Sequence, residues 1–328
     1  MTPNDKTLDL PVLASIRPVI ADAEWTAFHP GRLGPAVREW GRMLAARPPF
    51  EASLHYVDGS SETVRWVFVL DVLNHCFWPG EGEPAWEIAY GGAGWSGYYG
   101  LAASLKRALE DGFPITDAAY LANIPAADLR RIFEGRGQIP FFDERLANLR
   151  EAGAVLVAEW GGDAARLVEA AGGSAVKLAA LVAGRFPSFR DQAKWRGQTV
   201  YFWKRAQIFA ADLHLAFEGK GFGAFHDVDR LTAFADYKLP QVLRELGIIS
   251  YHPGLAARID RRELLPPGCE EEVEIRAMTI HAVDALREAF LRMGIKTNSM
   301  DIDNWLWRLG QLEEFRKRPY HRCRTIYY

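Results

Sequence analysis

Between residues 116 and 185 glycine and proline break the chain at short intervals, and the stretches between them carry helical spacing. One begins at Pro125 and runs through Phe133, and another begins at Phe141. Two more run from Asp163 to Ala170 and from Ser174 to Ala183. A ladder of short helices with tight turns buries its apolar stripes only by packing helix on helix, so it predicts an all-α core. No repeat of fixed period and no low-complexity segment interrupts it.

The flanking regions fit the same class. Residues 1–50 read as helical, with spacing over 22–28 and 33–46 punctuated by Pro18, Pro30, Pro48 and Pro49. Residues 54–57 read as a short strand. An apolar helix follows over 64–76 and stops at Pro79 and Gly80. Residues 92–97 formally match GxGxxG after a strand at 86–90, yet no further βαβ pattern follows. A hairpin of 86–90 with 95–99, turning at the glycines, is the simpler reading. Residues 199–217 read as a buried helix and 270–293 as a long one with Glu270, Glu271 and Glu272 at its positive end. The aromatic finish at Tyr327 and Tyr328 predicts a docked C-terminal segment. The expected architecture is mainly α with a small β-hairpin. It forms a single globular domain over 1–328, with a helix and hairpin part (about 1–115) packed on a helical body (about 116–328).

Charge and cysteine content narrow the function. A net charge of −3 argues against a broad nucleic-acid surface while allowing a local phosphate pocket. Cys76, Cys269 and Cys323 are widely spaced and form no CxxC pair, which suggests a reducing compartment. The polar start and the lack of any apolar run near the roughly 18 residues of a membrane span make the cytoplasm the expected location. The eight histidines show no metal-ligand spacing, and neither a GxSxG elbow nor a Walker loop occurs. No metal is expected. Carboxylates, aromatic rings and a few bases remain to carry chemistry.

The densest such stretch is 225–247. Asp227 or Asp229 can cap a short helix through Phe234, Pro240 suits the first turn of a second helix, and Gly247 suits its end. Between the two lie Asp236, Tyr237 and Lys238. A carboxylate there faces the positive end of the following helix, so Asp236 is either a helix cap or a working anion. Upstream, Lys204, Ile208 and Asp212 recur four apart and share a face. A carboxylate such as Asp212 in an apolar helix needs a partner, and Lys204 or Arg205 can supply one. Phe77 and Trp78 sit at a helix end beside a Gly/Pro turn, where core packing and a pocket role are both open. Asp301 and Asp303 precede an aromatic helix start, where capping is the simple explanation.

Taken in order, several segments resemble the queuosine salvage proteins, described as queuosine 5′-phosphate N-glycosylase/hydrolases. They are 73–78 (LNHCFW), 96–108 (SGYYGLAASLKRA), 186–191 (FPSFRD), 204–208 (KRAQI) with Asp212, 231–241 (LTAFADYKLPQ), 273–276 (VEIR) and 326–328 (IYY). The resemblance spans most of the chain beyond about residue 60, whereas the first fifty residues add little. It implies a multi-helix fold related to DNA glycosylases. It also implies hydrolysis of the N-glycosidic bond of queuosine 5′-phosphate with release of queuine, without metal or organic cofactor. On that reading a carboxylate, Asp236 first and Asp212 second, stabilises an oxocarbenium-like sugar and activates water. Asp303 or Asp301 holds the guanine-like edge. Phe77, Trp78, Phe234 and Tyr237 stack on the base. Lys204, Arg205 and Lys238 hold the phosphate. The partners are then a small nucleotide and free queuine, with no stable nucleic acid, no membrane and a monomeric state. A non-catalytic carrier for a modified base and a glycosylase acting on polynucleotides are the competing readings.

Overall fold

The computed structural model describes residues 9–44 and 53–328, so the helical expectation over 1–50 lies outside the described residues at 1–8 and 45–50. The described elements begin with α1 (Pro11–Ala21), β1 (Thr26–Phe28), α2 (Leu33–Trp40), α3 (Ser61–Leu73), β2 (Glu87–Tyr90), β3 (Ala93–Ser96) and α4 (Gly97–Glu110). The body continues with α5 (Ala118–Asn123), α6 (Ala126–Ile132), α7 (Phe142–Trp160), α8 (Ala164–Ala170), α9 (Ala175–Arg185), β4 (Gln192–Trp195), β5 (Gln198–Tyr201) and α10 (Lys204–Ala216). It ends with α11 (Lys238–Glu245), β6 (Ile249–Tyr251), α12 (Pro253–Asp260), β7 (Leu264–Leu265), α13 (Glu270–Arg292), α14 (Ser299–Leu309) and β8 (Arg322–Cys323).

The fold is mainly α, as expected. Side-chain caps set several helix starts: Ser60, Asp117, Asp163 and Ser174 each accept backbone N–H groups at the start of α3, α5, α8 and α9. Helix α3 is buried on nearly every side from Thr63 to Leu73, which marks it as central. Helix α10 packs against α3 and α9, and α13 against α1, α2, α11 and α14. One apolar core runs from Leu10 to Phe315, with a satellite of Leu255, Ile259, Leu265 and Ile275. Helices α5 and α7 approach so closely at Gly153 that an added Cβ would lie 2.3 Å from the Ala122 nitrogen.

The strands form four two-stranded sheets: β1–β6, β2–β3 and β4–β5 antiparallel, and β7–β8 parallel. Parallel pairing is confined to two residues a side, so the sheet that a dinucleotide fingerprint requires is absent among the described residues. The glycines make a hairpin instead. Gly91 and Gly92, with φ of 59° and 79°, form the two-residue turn between the paired Tyr90 and Ala93.

Other expectations change. Thr26–Phe28 is a strand rather than helix, because it pairs with β6 from more than two hundred residues downstream. Residues 54–57 form no strand, and α3 ends at Leu73 rather than at residue 76. The buried helix expected over 199–217 starts only at Lys204, since Thr199 to Tyr201 belong to the β4–β5 hairpin. The aromatic and β-branched run there serves a strand as well as a helix core. No helix runs from Asp227 or Asp229 to Phe234. A single turn, Val228–Arg230, is followed by an extended segment, and Asp227 instead accepts Ser174 Oγ and the Ala175 N–H at the start of α9, both at 2.6 Å. No helix among the described residues is long and apolar enough to cross a membrane.

Candidate active site

A cavity of about 520 Å³ opens where the loop after α3, the start of α4, one face of α10, the corner before α11 and one face of α14 converge. That volume suits a small organic ligand. Each wall is fixed by buried polar contacts. After α3, Arg145 donates to the carbonyls of Leu73, His75 and Cys76, the last at 2.9 Å, and its guanidinium lies 5.1 Å from the centre of the Phe77 ring. Those bonds satisfy the last carbonyl of α3 and two of the loop after it, and hold Phe77 and Trp78 at the cavity.

Asp191 sets the start of α10. Its backbone oxygen accepts the Phe202 and Trp203 N–H groups, while Oδ2 accepts the Lys204 N–H at 3.1 Å. Trp203 is held in the left-handed region, with φ of 50°. Beyond it the helical period turns Lys204, Ile208 and Asp212 toward the cavity, as their spacing predicts. Arg205 points away. Its guanidinium caps the end of α3 through the Asp71 and Val72 carbonyls at 3.0 and 2.6 Å, and it also reaches the Ser188 carbonyl. A phosphate-binding role for Arg205 is therefore corrected, because the group is buried and already engaged outside the cavity.

The extended segment leading to Asp236 is pinned by side chains in place of a sheet. Gln207 Oε1 accepts the Thr232 N–H at 2.8 Å, Asp303 Oδ2 accepts the Phe234 N–H at 2.7 Å, and Arg276 Nε donates to the Ala235 carbonyl at 3.1 Å. Arg276 in turn makes a buried bidentate pair with Asp191, at 2.8 and 2.6 Å. Asp236 then caps α11: Oδ1 accepts the Lys238 and Leu239 N–H groups at 2.7 and 3.0 Å. Its Oδ2 has no hydrogen-bond partner among the described residues, and Asp236 lines the cavity. Capping and availability thus coexist in one carboxylate.

Asp212 and Asp303 complete a ring of three cavity carboxylates around Lys204. Burial pushes the Asp212 carboxyl up to about 7, against the pull of the Lys204 charge and the Tyr98 hydroxyl. Lys204 and Asp212 nevertheless form no ion pair among the described residues, and Asp212 Oδ2 is a buried oxygen without a partner. Asp71, fully buried behind it, is raised by burial and then by Asp212. Burial also raises Asp303 well above the ordinary carboxylate range, reinforced by the charge of Asp236. The Lys204 ammonium is lowered by burial and held up chiefly by Asp236. Asp301 is not among the residues that line the cavity. Its N–H is taken by Asn298 Oδ1 at 2.8 Å, in the first turn of α14. Of the two acids expected at the base, the structure brings only Asp303 to the cavity.

Phe77, Trp78, Phe234 and Tyr237 all line the cavity. Sequence reasoning missed the opposite aromatic group, Tyr98, Tyr99 and Trp307, whose rings meet edge to face with Tyr99 and Trp307 centred 5.6 Å apart. Trp307 stands four residues after Asp303 on one helix, a spacing that signals a shared face. Lys238 reaches the cavity mouth, its Nζ 3.1 Å from Gln241 Oε1 and 5.3 Å from the centre of the Tyr320 ring. Tyr328 docks as expected: its hydroxyl donates to Glu272 at 2.7 Å, and its backbone oxygen accepts the Cys76 N–H at 3.0 Å.

Comparison with known proteins adds an independent finding. The queuosine salvage protein family matches residues 54–328. A queuosine 5′-phosphate N-glycosylase/hydrolase of Sphaerobacter thermophilus is 48% identical over 325 residues, covering 97% of this chain and 98% of that protein. Proteins of the same description from Mus musculus and Schizosaccharomyces pombe are 36% and 31% identical, covering 97% and 94% of this chain and 96% and 92% of their own lengths.

Proposed function

The chain belongs to the queuosine salvage protein family, and we propose that it hydrolyses the N-glycosidic bond of queuosine 5′-phosphate in this cavity, releasing queuine. The observation that carries the residue assignment is Asp236. One of its oxygens is anchored by two amides at the start of α11, and the other is free toward the cavity. A helix N-terminus favours negative charge there, and the anchored oxygen fixes the direction of the free one. Relatives described as enzymes favour hydrolysis over a carrier role.

In this reading water adds to the anomeric carbon as the bond to the base nitrogen breaks, and the bonding pair leaves with the base. Asp236 stabilises the positive charge on the sugar and accepts the proton of the water. The leaving base is a 7-deazaguanine and lacks the ring nitrogen that purines protonate. Asp303, raised by burial and held by the Phe234 N–H, meets its guanine-like edge as a hydrogen-bond donor and acceptor. Lys204 keeps Asp236 paired with positive charge and reaches the ribose, while Lys238 and Arg316 at the mouth grip the 5′-phosphate. Asp212, whose proton is held up to about 7, supports this ring and takes second place as the acting anion.

The test is release of free queuine from queuosine 5′-phosphate, followed by chromatography, with Asp236→Asn and Asp212→Asn alongside. Loss of about 10³-fold or more in kcat for Asp236→Asn, with its melting temperature held, is the expected result. A dead Asp212 variant beside an active Asp236 variant would transfer the role to Asp212.

A further inference from the structure

A second cleft of about 180 Å³ opens beside the first and shares Lys238, Arg316 and Tyr320 with it. Gln241, Arg262, Pro319 and Arg322 complete its lining. The charged groups are therefore Lys238, Arg262, Arg316 and Arg322, all cationic, in a protein whose net charge is −3. Among the described residues none of the four forms an ion pair with a carboxylate. Their neighbours behave otherwise: Arg244 pairs with Asp260 at 2.7 Å and Arg318 with Glu245 at 3.5 Å.

Neutral groups contact Arg316, Lys238 and Arg322, and Asp236 also favours the Lys238 charge. Arg316 donates from Nε to the Gly310 carbonyl at 3.1 Å and from Nη2 to Gln311 Oε1 at 3.0 Å. Lys238 Nζ meets Gln241 Oε1 at 3.1 Å, and the Arg322 guanidinium lies 5.4 Å from the centre of the Trp78 ring. Arg262 ends α12 with φ of 60°, a helix-end position that glycine usually fills. Its N–H donates to the Ile259 carbonyl at 2.8 Å. Like charges gathered in a concave site whose lining holds no carboxylate suit a ligand that brings its own negative charge.

We propose that this cleft is a second phosphoryl subsite. It takes the distal phosphate of a nucleotide whose 5′-phosphate carries a further phosphoryl group, while Lys238 and Arg316 on the shared rim hold the proximal one. The inference rests on the placement of the 5′-phosphate given above. The phosphoanhydride stays intact, and water cleaves only the glycosidic bond.

Queuosine 5′-monophosphate and 5′-diphosphate are compared as substrates of the wild type and of Arg262→Gln, a residue that lines only the second cleft. Wild type should hydrolyse the two with kcat/KM within about threefold of each other. Arg262→Gln should lose about tenfold on the diphosphate and keep its activity on the monophosphate, with Arg262→Lys restoring part of the loss. Discrimination of tenfold or more against the diphosphate by wild type, or equal loss on both substrates in Arg262→Gln, would overturn the subsite. A separate arm measures inorganic pyrophosphate by calorimetry. Binding that weakens in Arg262→Gln supports the subsite even if the monophosphate is not hydrolysed, in which case only the proposed function fails. Binding of a single-stranded RNA without binding of pyrophosphate overturns it.

Discussion

Replacing Arg276 with methionine should cost the protein more than any surface change. The guanidinium pairs both ways with Asp191, donates to the Ala235 carbonyl and lies 3.8 and 4.3 Å from the ring centres of Phe202 and Tyr328. Both partners of the ion pair are almost wholly buried, at 3% and 2% side-chain exposure. Removing one member leaves the other charged and unpaired, a loss of about 3–5 kcal/mol. A chain of 328 residues gains about 0.7 kcal/mol per kelvin in unfolding entropy near its midpoint, so the melting temperature should fall by about 4–7 °C. Denaturant unfolding monitored by tryptophan fluorescence gives the free energy directly. In the Arg276→Met background two buried carboxylates are stranded, Asp191 and Glu272, the latter 3.6 Å from the guanidinium; Asp191→Leu removes the nearer one, so the double variant should be more stable than the summed single losses predict by about 2 kcal/mol or more. Recovery will be partial, because Glu272 still lacks its Arg276 partner and Asp191 also accepts the Lys204 N–H. Strict additivity, or a loss below about 1 kcal/mol for Arg276→Met, would refute the reading of this pair as the tie between α13, α10 and the corner at Asp236.

Three further outcomes follow from the same contacts. Gly153→Ala should destabilise by about 1–3 kcal/mol in chemical unfolding, since its Cβ would meet the backbone of α5 at 2.3 Å and helix backbones cannot step aside cheaply. Asp212 binds its proton more tightly when folded, at about 7 against 3.8, so its contribution is present at low pH and is lost as pH rises through that window. Asp212→Asn should therefore gain stability relative to wild type between about pH 4 and pH 7 and show a constant difference above it, read from unfolding midpoints at several pH values. Gly310→Ala would place a Cβ 2.6 Å from Lys238 Cδ; displacement of the ammonium should raise KM for the 5′-phosphate several-fold while kcat changes little, in steady-state kinetics.

Much of this was legible in the chain because it is local. The ladder of short helices follows from caps at Asp117, Asp163 and Ser174 and from glycine stops, each acting within one turn. The cap at Asp236 and the shared face of Lys204, Ile208 and Asp212 also rest on short spacing. What spacing leaves open is the direction in which a face looks. Lys204 and Arg205 are adjacent basic residues, yet one lines the cavity and the other closes the end of α3; Asp303 lines the cavity and Asp301 does not. The pairing of Asp191 with Arg276, 85 residues apart, and the pinning of the extended segment by Gln207 and Asp303 depend on helices that meet only in the folded protein. Helical periodicity determines which side chains travel together around an axis, and packing alone decides which way that axis is turned and what its charges find.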